Sequence, residues 1–240
     1  MDAILFEKKD HIARIMLNRP EVDNIINLQI TQEMEEICAA INQDDDIYVV
    51  LLTGVGEKFS CGSEVKSDIA ASVAGIEKPV IAAINGDAIG NGLELALSCD
   101  IRIAADTAKF GLTQLESGTI PMDGGSQRLP RLIGKGKALE LILTAATLTA
   151  AEALDIGLIS KVVPGSELTV EAEALVRGIA TKAPISLRYV KEAVNKGMDM
   201  TMDQGLRLEA DLYLLLHTTT DRTEGITAFL EKRTPEFKGE

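Results

Sequence analysis

Residues 84–95 place the end of an apolar run, a glycine-rich turn and the start of a helix in immediate succession. The apolar run predicts a buried strand, the glycines at 86, 90 and 92 mark the turn, and Glu94 lies in the first turn of the helix. The first amides of a helix have no partner inside it, and with the helix dipole they favour negative charge. The segment therefore predicts an oxyanion site beside a carboxylate, which a reaction through an enolate requires.

A second junction of the same kind lies upstream. The apolar residues 48–53 predict a strand, and residues 59–66 supply a turn of small residues and another helix start. Either junction alone is common in α/β proteins. Two such junctions can direct two N–H donors to one oxygen, as an oxyanion hole requires.

Strands alternate with helices over the first two-thirds of the chain, and the last third is mostly helical. Strands are predicted at 3–8, 11–17, 47–53, 79–84, 101–104 and 159–163. Helices are predicted at 27–42, 65–77, 91–98, 124–133, 135–145, 150–156, 167–181, 184–197, 201–217 and 221–232. The pattern predicts an α/β core at 1–175 and a helical region at 176–240.

Composition excludes several classes of function. A net charge of −13 argues against a nucleic-acid partner, and no apolar run is long enough for a membrane span. The start lacks a signal-peptide layout, and three cysteines without metal-type spacing are typical of a reduced, cytoplasmic protein. Neither histidine lies in a motif, so nucleophilic catalysis of the Ser–His or Cys–His kind and a metal site are not expected.

Several separated motifs carry a resemblance to a known family. They are residues 18–20 (NRP), 59–66, 79–100, 110–111 (FG), 118–121 (GTIP), 124–125 (GG), 127–129 (QRL) and 229–233. In this order and spacing, over essentially the whole chain, they resemble the crotonase superfamily, also called the enoyl-CoA hydratase/isomerase family.

The resemblance implies a crotonase-like spiral of ββα units whose C-terminal helices build trimers, often paired into hexamers. It also implies acyl-CoA thioester substrates, a place in fatty acid metabolism, and no separate cofactor, because CoA is part of the substrate. The family's oxyanion hole maps onto the amides of Ser63 and Asn91.

Residues that contact the substrate are implied less firmly by the same resemblance. Lys66 and Lys232 lie where the family's basic residues approach CoA phosphates, and Phe229 lies near the adenine or pantetheine contact. The resemblance also places Cys61, Gly62 and Gly90 against the substrate. Alternatively, the lysines are simply exposed side chains, Phe229 is a packing residue, and Cys61 is a small buried residue.

The chain departs from the family pattern in the turns and in the segment that follows the first of them. Asn91 stands where the family has a glycine, and Glu64 stands where it commonly has Asp. A backbone donor survives the change at Asn91, although its side chain is expected near the acyl group. The segment between Lys66 and Lys78 is shorter than usual, which predicts a more open or differently shaped acyl pocket.

The largest departure concerns proton transfer. The first of the two glutamates of the family's hydratases maps onto Glu94, but the second falls on Gln114, which cannot take or give a proton. Three possibilities follow: Glu94 acts alone, Asp123 supplies the second carboxylate, or Glu116 does so if its segment is extended. Asp123 has a structural alternative as the cap of the helix after Gly124-Gly125.

The predicted function is therefore an acyl-CoA enzyme, an enoyl-CoA hydratase or a double-bond isomerase, with a lyase or isomerase reaction. Decarboxylation or thioester hydrolysis on the same enolate remain alternatives. A further alternative is a catalytically silent family member that binds CoA esters without turnover. The replacement of the second glutamate by Gln114 is the reason for considering it.

Overall fold

The computed structural model describes residues 2–240. Its strands are β1 (Ile4–Lys9), β2 (Ile12–Leu17), β3 (Val49–Gly54), β4 (Ser60–Cys61), β5 (Val80–Ile84), β6 (Ala88–Ile89), β7 (Ile101–Ala105), β8 (Lys109–Gly111), β9 (Thr147–Thr149) and β10 (Lys161–Val163). Its helices are α1 (Leu28–Gln43), α2 (Ile69–Ala74), α3 (Asn91–Ser98), α4 (Gly125–Ile133), α5 (Lys135–Thr144), α6 (Ala150–Asp155), α7 (Leu168–Ala180), α8 (Pro184–Gly197), α9 (Met202–Leu216) and α10 (Thr220–Glu231).

The strands form two sheets of different size. A six-stranded sheet has the order β1-β2-β3-β5-β7-β10 and is parallel beyond the β1–β2 hairpin, and a four-stranded sheet has the order β4-β6-β8-β9. Three successive units, β3-β4-α2, β5-β6-α3 and β7-β8-α4, each send a long strand to the large sheet, a short strand to the small sheet, and then a helix. The predicted α/β class and its ββα repeat are thereby confirmed.

The large sheet is buried on both faces, which explains why its strands are continuously apolar. On one face α1 contributes Ile30, Met34, Cys38 and Ile41 to the main core. On the other face α7 packs Leu168, Ala172 and Val176 against Ile12, Val49, Ile81 and Ile103. The two layers hold the parallel strands, and hence the turns at their ends, in fixed positions.

Three local features differ from the sequence predictions. The strands β4, β6, β8 and β9 were not predicted because two or three residues are too few to show an alternating pattern. The helix predicted at 65–77 is shorter, α2 spanning Ile69–Ala74, because residues 64–68 are irregular. Residues 114–117 form a 3-10 helix, so this segment is not extended.

The C-terminal helices leave many apolar side chains in solvent. α8 packs against α9 and is joined to the sheet by Lys191, whose ammonium lies 2.7 Å from a carboxylate oxygen of Asp100. The exposed apolar side chains of α8 and α9 include Val190, Val194, Met202, Leu206, Tyr213, Leu214 and Leu215. No helix within residues 2–240 is both long enough and apolar enough to cross a membrane.

Candidate active site

Two glycine turns meet at the carboxyl ends of β4 and β6. These strands run parallel, with Ser60 opposite Ala88 and Cys61 opposite Ile89, so the register continues into the two turns. Each turn contains a glycine with positive φ, +102° at Gly62 and +58° at Gly90. A Cβ on Gly90 would lie 3.6 Å from the Cα of Gly62, so the two turns are in contact. The short sheet therefore brings both junctions to one place.

The amides of Ser63 and Asn91 follow these two glycines, one in each turn. Neighbouring amides have protein partners: Cys61 donates to the Asp23 carbonyl, Glu64 to Ile26, Gly90 to Gly111, and Glu94 to Gly90. Within residues 2–240, the Ser63 and Asn91 amides have no hydrogen-bond partner. Asn91 is the first residue of α3, so its amide also lies at the positive end of the helix dipole. Two unpaired donors on adjacent turns can bind a single oxyanion.

Glu94 is completely buried beside these donors, and its two carboxylate oxygens have different partners. Its Oε1 accepts the amides of Asp123 and Gly125, each at 2.8 Å. Its Oε2 accepts the Nε2 of Gln114 at 3.0 Å. Burial raises the pKa of Glu94, and the two amides oppose that rise. The amides fix one oxygen and leave Oε2, with fewer partners, as the oxygen suited to exchange a proton.

Gln114 reaches Glu94 because β8 is the next parallel strand after β6. Gln114 is the first residue of the 3-10 helix that begins a few residues after β8. At the end of β8 the carbonyl of Gly111 accepts a hydrogen bond from the Gly90 amide at 2.8 Å. The Nε2 of Gln114 donates to Glu94, whereas its Oε1 is buried without a partner among residues 2–240. A buried carbonyl without a donor is costly, so this atom is suited to accept a hydrogen bond from a water or a substrate.

Gly125 permits the close approach of the amides that hold Glu94. A Cβ at this position would lie 2.9 Å from the Oε1 of Glu94, and the preceding Gly124 has a φ of +99°. In the sequence these two glycines stand out only as part of a family motif, which assigns them no role. The sequence shows a glycine pair at the start of a helix. It does not show that the amides of this turn bind Glu94, because that contact forms only in the folded chain.

Comparison with known proteins identifies the family and the fold. The family model described as enoyl-CoA hydratase/isomerase matches residues 7–240. A probable enoyl-CoA hydratase of Mycobacterium tuberculosis is 40% identical, and the alignment covers 98% of each chain. A crotonyl-CoA hydratase of Syntrophomonas wolfei is 38% identical over 98% of this chain and 97% of the relative. The crystal structure of an enoyl-CoA hydratase from Bacillus anthracis superposes with a TM-score of 0.96 at 40% identity, covering 99% of this chain and 100% of that one.

The chain belongs to the enoyl-CoA hydratase/isomerase family. It is therefore an enzyme of the hydratase/isomerase type, and the resemblance inferred from its motifs is confirmed.

Asp123 occupies a position that the sequence did not predict. Its carboxylate does not cap α4, whose N-cap residue is Gly124 without a side-chain hydrogen bond. Instead its Oδ2 accepts the Ala70 amide of α2 at 2.9 Å. The expectation of a local cap is therefore wrong, because the loop folds the carboxylate toward a helix that is distant in sequence.

Glu116 is exposed, and its 3-10 segment rules out the extended geometry on which its catalytic role depended. In an extended chain residues 114 and 116 share a face, but in a 3-10 helix positions i and i+3 align. Glu116 therefore does not share a face with Gln114, and the extended segment on which this hypothesis depended is not present.

The other predicted contact residues differ in their placement. Gly62 and Gly90 form the two turns, and Cys61 lies at the end of β4 with its pKa raised to about 11 by burial and nearby carboxylates. A thiol with this pKa is a poor nucleophile near neutral pH. Lys66, Phe229 and Lys232 are exposed, and no hydrogen bond or ion pair within residues 2–240 links them to the turns.

Replacement of Gly90 by alanine is expected to weaken the oxyanion hole. Gly90 has φ 58° and ψ −123°, a conformation that residues with a Cβ rarely adopt, and relief of the strain would rotate the Asn91 amide. Loss of one oxyanion donor costs about 10²–10³-fold in kcat. We expect a fall of that size for Gly90→Ala in steady-state kinetics, whereas Gly134→Ala, a positive-φ glycine outside the two turns, keeps normal turnover. Equal turnover in the Gly90 variant would contradict the assignment.

Proposed function

We propose that this enzyme adds water to the double bond of 2-enoyl-CoA thioesters. The observation that carries the proposal is the pair of unpaired amides, Ser63 and Asn91, beside the buried carboxylate of Glu94. The hydratase names of the relatives support the same reaction.

In the proposed reaction the two amides bind the thioester oxygen and stabilise the enolate that forms when water attacks C3. Glu94 Oε2 accepts one proton of the water as the C3–O bond forms, and Gln114 Oε1 accepts a hydrogen bond from the other O–H. Glu94 then returns its proton to C2, and the enolate collapses to the 3-hydroxyacyl thioester. The net change is one water across the double bond, with Glu94 as both base and acid.

This scheme calls for no cofactor besides the CoA of the substrate. It assigns Asn91 a backbone role and Gln114 the orientation of water. Lys66, Lys232 and Phe229 remain candidates for the CoA phosphates and the adenine or pantetheine, and a lysine suits a phosphate as a point charge.

Double-bond migration is the second candidate, and Gln114 is the observation that favours it. A 3-enoyl thioester needs only one carboxylate, which removes a proton from C2 and returns it to C4 of the dienolate. Glu94 with a neutral Gln114 fits that requirement, since no second acid competes for the dienolate.

A substrate panel separates these candidates. Purified enzyme is given short and medium 2-enoyl-CoA and 3-enoyl-CoA esters, and products are followed by loss of the conjugated absorbance and by mass spectrometry. Hydration of the 2-enoyl esters supports the proposal, and formation of 2-enoyl from 3-enoyl esters without hydration favours isomerisation. Tight CoA-ester binding by calorimetry without turnover on thioesters, malonyl-type esters included, would identify a silent member.

We also propose that the exposed apolar side chains of α8 and α9 pack against other copies of this chain, as a trimer or a pair of trimers. An apolar surface of this extent is typical of an interface. Light scattering after gel filtration is expected to give three or six times the monomer mass. A monomer at micromolar concentration would contradict this proposal. It would not affect the proposed hydration reaction.

A further inference from the structure

The carboxylate of Asp123 serves as the N-terminal cap of α2 from a distant part of the chain. It is 5% exposed, and its Oδ2 accepts the amide of Ala70, the second residue of the helix, at 2.9 Å. Asp68, the residue in the local N-cap position of α2, makes no side-chain hydrogen bond to the helix. The cap that a neighbouring side chain normally supplies is here supplied across the fold.

The main chain of the same residue contacts two other helices. The Asp123 amide donates to Glu94 Oε1 of α3 at 2.8 Å, and the Asp123 carbonyl accepts Arg128 Nη1 of α4 at 2.8 Å. One residue thus links α2, α3 and α4. Its side chain binds α2 and its amide binds the base Glu94, so the two contacts are joined through one residue.

α2 also follows the first oxyanion turn closely along the chain. It begins a few residues after Ser63, and the irregular residues 64–68 between them are joined to the core by the Glu64 amide, which donates to the Ile26 carbonyl at 2.8 Å. The cap on α2 therefore restrains the segment that follows the Ser63 donor, while the amide of the capping residue restrains Glu94.

We infer that Asp123 is a positioning residue, which fixes the base Glu94 relative to the Ser63 donor and transfers no proton itself. The inference rests on the proposed function, whose base and oxyanion donors it connects. In the proposed reaction protons move only between the substrate water, Glu94 and C2. One carboxylate oxygen of Asp123, Oδ2, is directed to the Ala70 amide of α2.

Three variants test this assignment. Asp123→Asn keeps an acceptor for the Ala70 amide but cannot exchange a proton, Asp123→Ala removes the acceptor, and Asp68→Ala removes a neighbouring carboxylate that makes no cap bond. We expect kcat of the Ala variant to fall about 10²-fold with a smaller change in KM, because misplacement of reacting groups acts mainly on turnover. The Asn variant stays within about tenfold of wild type, and Asp68→Ala is unchanged.

Hydrogen exchange supplies a readout that needs no turnover. In Asp123→Ala the Ala70 amide of α2 and the Gly125 amide bound to Glu94 are expected to exchange faster together, and in Asp123→Asn neither does. If Asn loses as much kcat as Ala, Asp123 transfers a proton and the inference is overturned. If the Ala variant has normal kcat, or if only Ala70 exchanges faster, Asp123 is a structural cap alone. A wild-type protein without hydratase activity refutes the proposed function. The hydrogen exchange of the Ala70 and Gly125 amides still decides in that case whether Asp123 links α2 to Glu94.

Discussion

Glu94→Gln is expected to lower kcat by about 10²–10⁴-fold, the usual contribution of a general acid or base. Glutamine has nearly the same shape, and its carbonyl oxygen can still accept the amides of Asp123 and Gly125. It cannot take a proton from water or return one to C2. The loss is therefore expected in kcat for both hydration and double-bond migration, with CoA-ester affinity retained.

The stability of this variant provides an internal control. Burial raises the pKa of Glu94 in the folded state, so its contribution to stability is full below the unfolded-state pKa and is lost as the pH rises through the folded-state pKa. At neutral pH a neutral glutamine removes that penalty. Its NH2 group takes the place of Oε2, and Gln114 can turn its side-chain amide so that its Oε1 accepts a hydrogen bond from this group, so the melting temperature should not fall. Glu116→Gln, an exposed carboxylate near Gln114, serves as the matched control and keeps full activity. Undiminished turnover in Glu94→Gln refutes the role of Glu94.

Gln114→Glu is expected to increase hydration by about 10²-fold, because a second carboxylate can act as the acid while Glu94 acts as the base, two roles that Glu94 alone performs in the wild type. Gln114 Nε2 lies 3.0 Å from Glu94 Oε2, so the two carboxyl groups of the variant would share one proton. One group then stays a base while the other donates to C2. Initial rates with a short 2-enoyl-CoA ester measure the gain.

The dependence of kcat/KM on pH distinguishes the wild type from the Gln114→Glu variant. In the wild type Glu94 must be ionised to accept the water proton, so kcat/KM falls as the pH drops through its raised pKa, and no alkaline limb arises from this site. The Glu variant should show a bell-shaped profile, since it loses activity again when the shared proton leaves. Gln32→Glu makes the same chemical change at an exposed position of α1, away from the site, and should change neither rate nor profile. A Glu variant slower than wild type would show that the Gln114 amide is required for catalysis.

Much of the site was predictable because its parts are local. The helix that begins at Asn91 and carries Glu94 in its first turn follows from a glycine turn after an apolar strand, and the structure begins α3 at that residue. The alternation of long strands and helices likewise predicted the ββα core. These features depend on residues within one turn or one strand of each other.

The position of Gln114 beside Glu94 could be established only from the tertiary structure. Twenty residues separate it from Glu94, and the strand that brings it there, β8, is too short to show a periodic pattern. The family resemblance pointed to this residue, but only the parallel pairing of β6 with β8 supplies the contact. The unpaired Gln114 carbonyl also follows from the packing around it and has no signature in the sequence.

The amino-acid sequence by itself determined the order of strands and helices, the family, and the base on the first turn of α3. Tertiary structure alone decided that the Ser63 and Asn91 amides lie on adjacent turns, that Glu94 is buried, and that the Asp123 carboxylate binds α2. The physical reason is the separation in sequence between the residues that interact. Turns and helix starts depend on neighbouring residues. Burial and partner choice depend on residues dozens of positions away, as the separation of 53 between Ala70 and Asp123 shows.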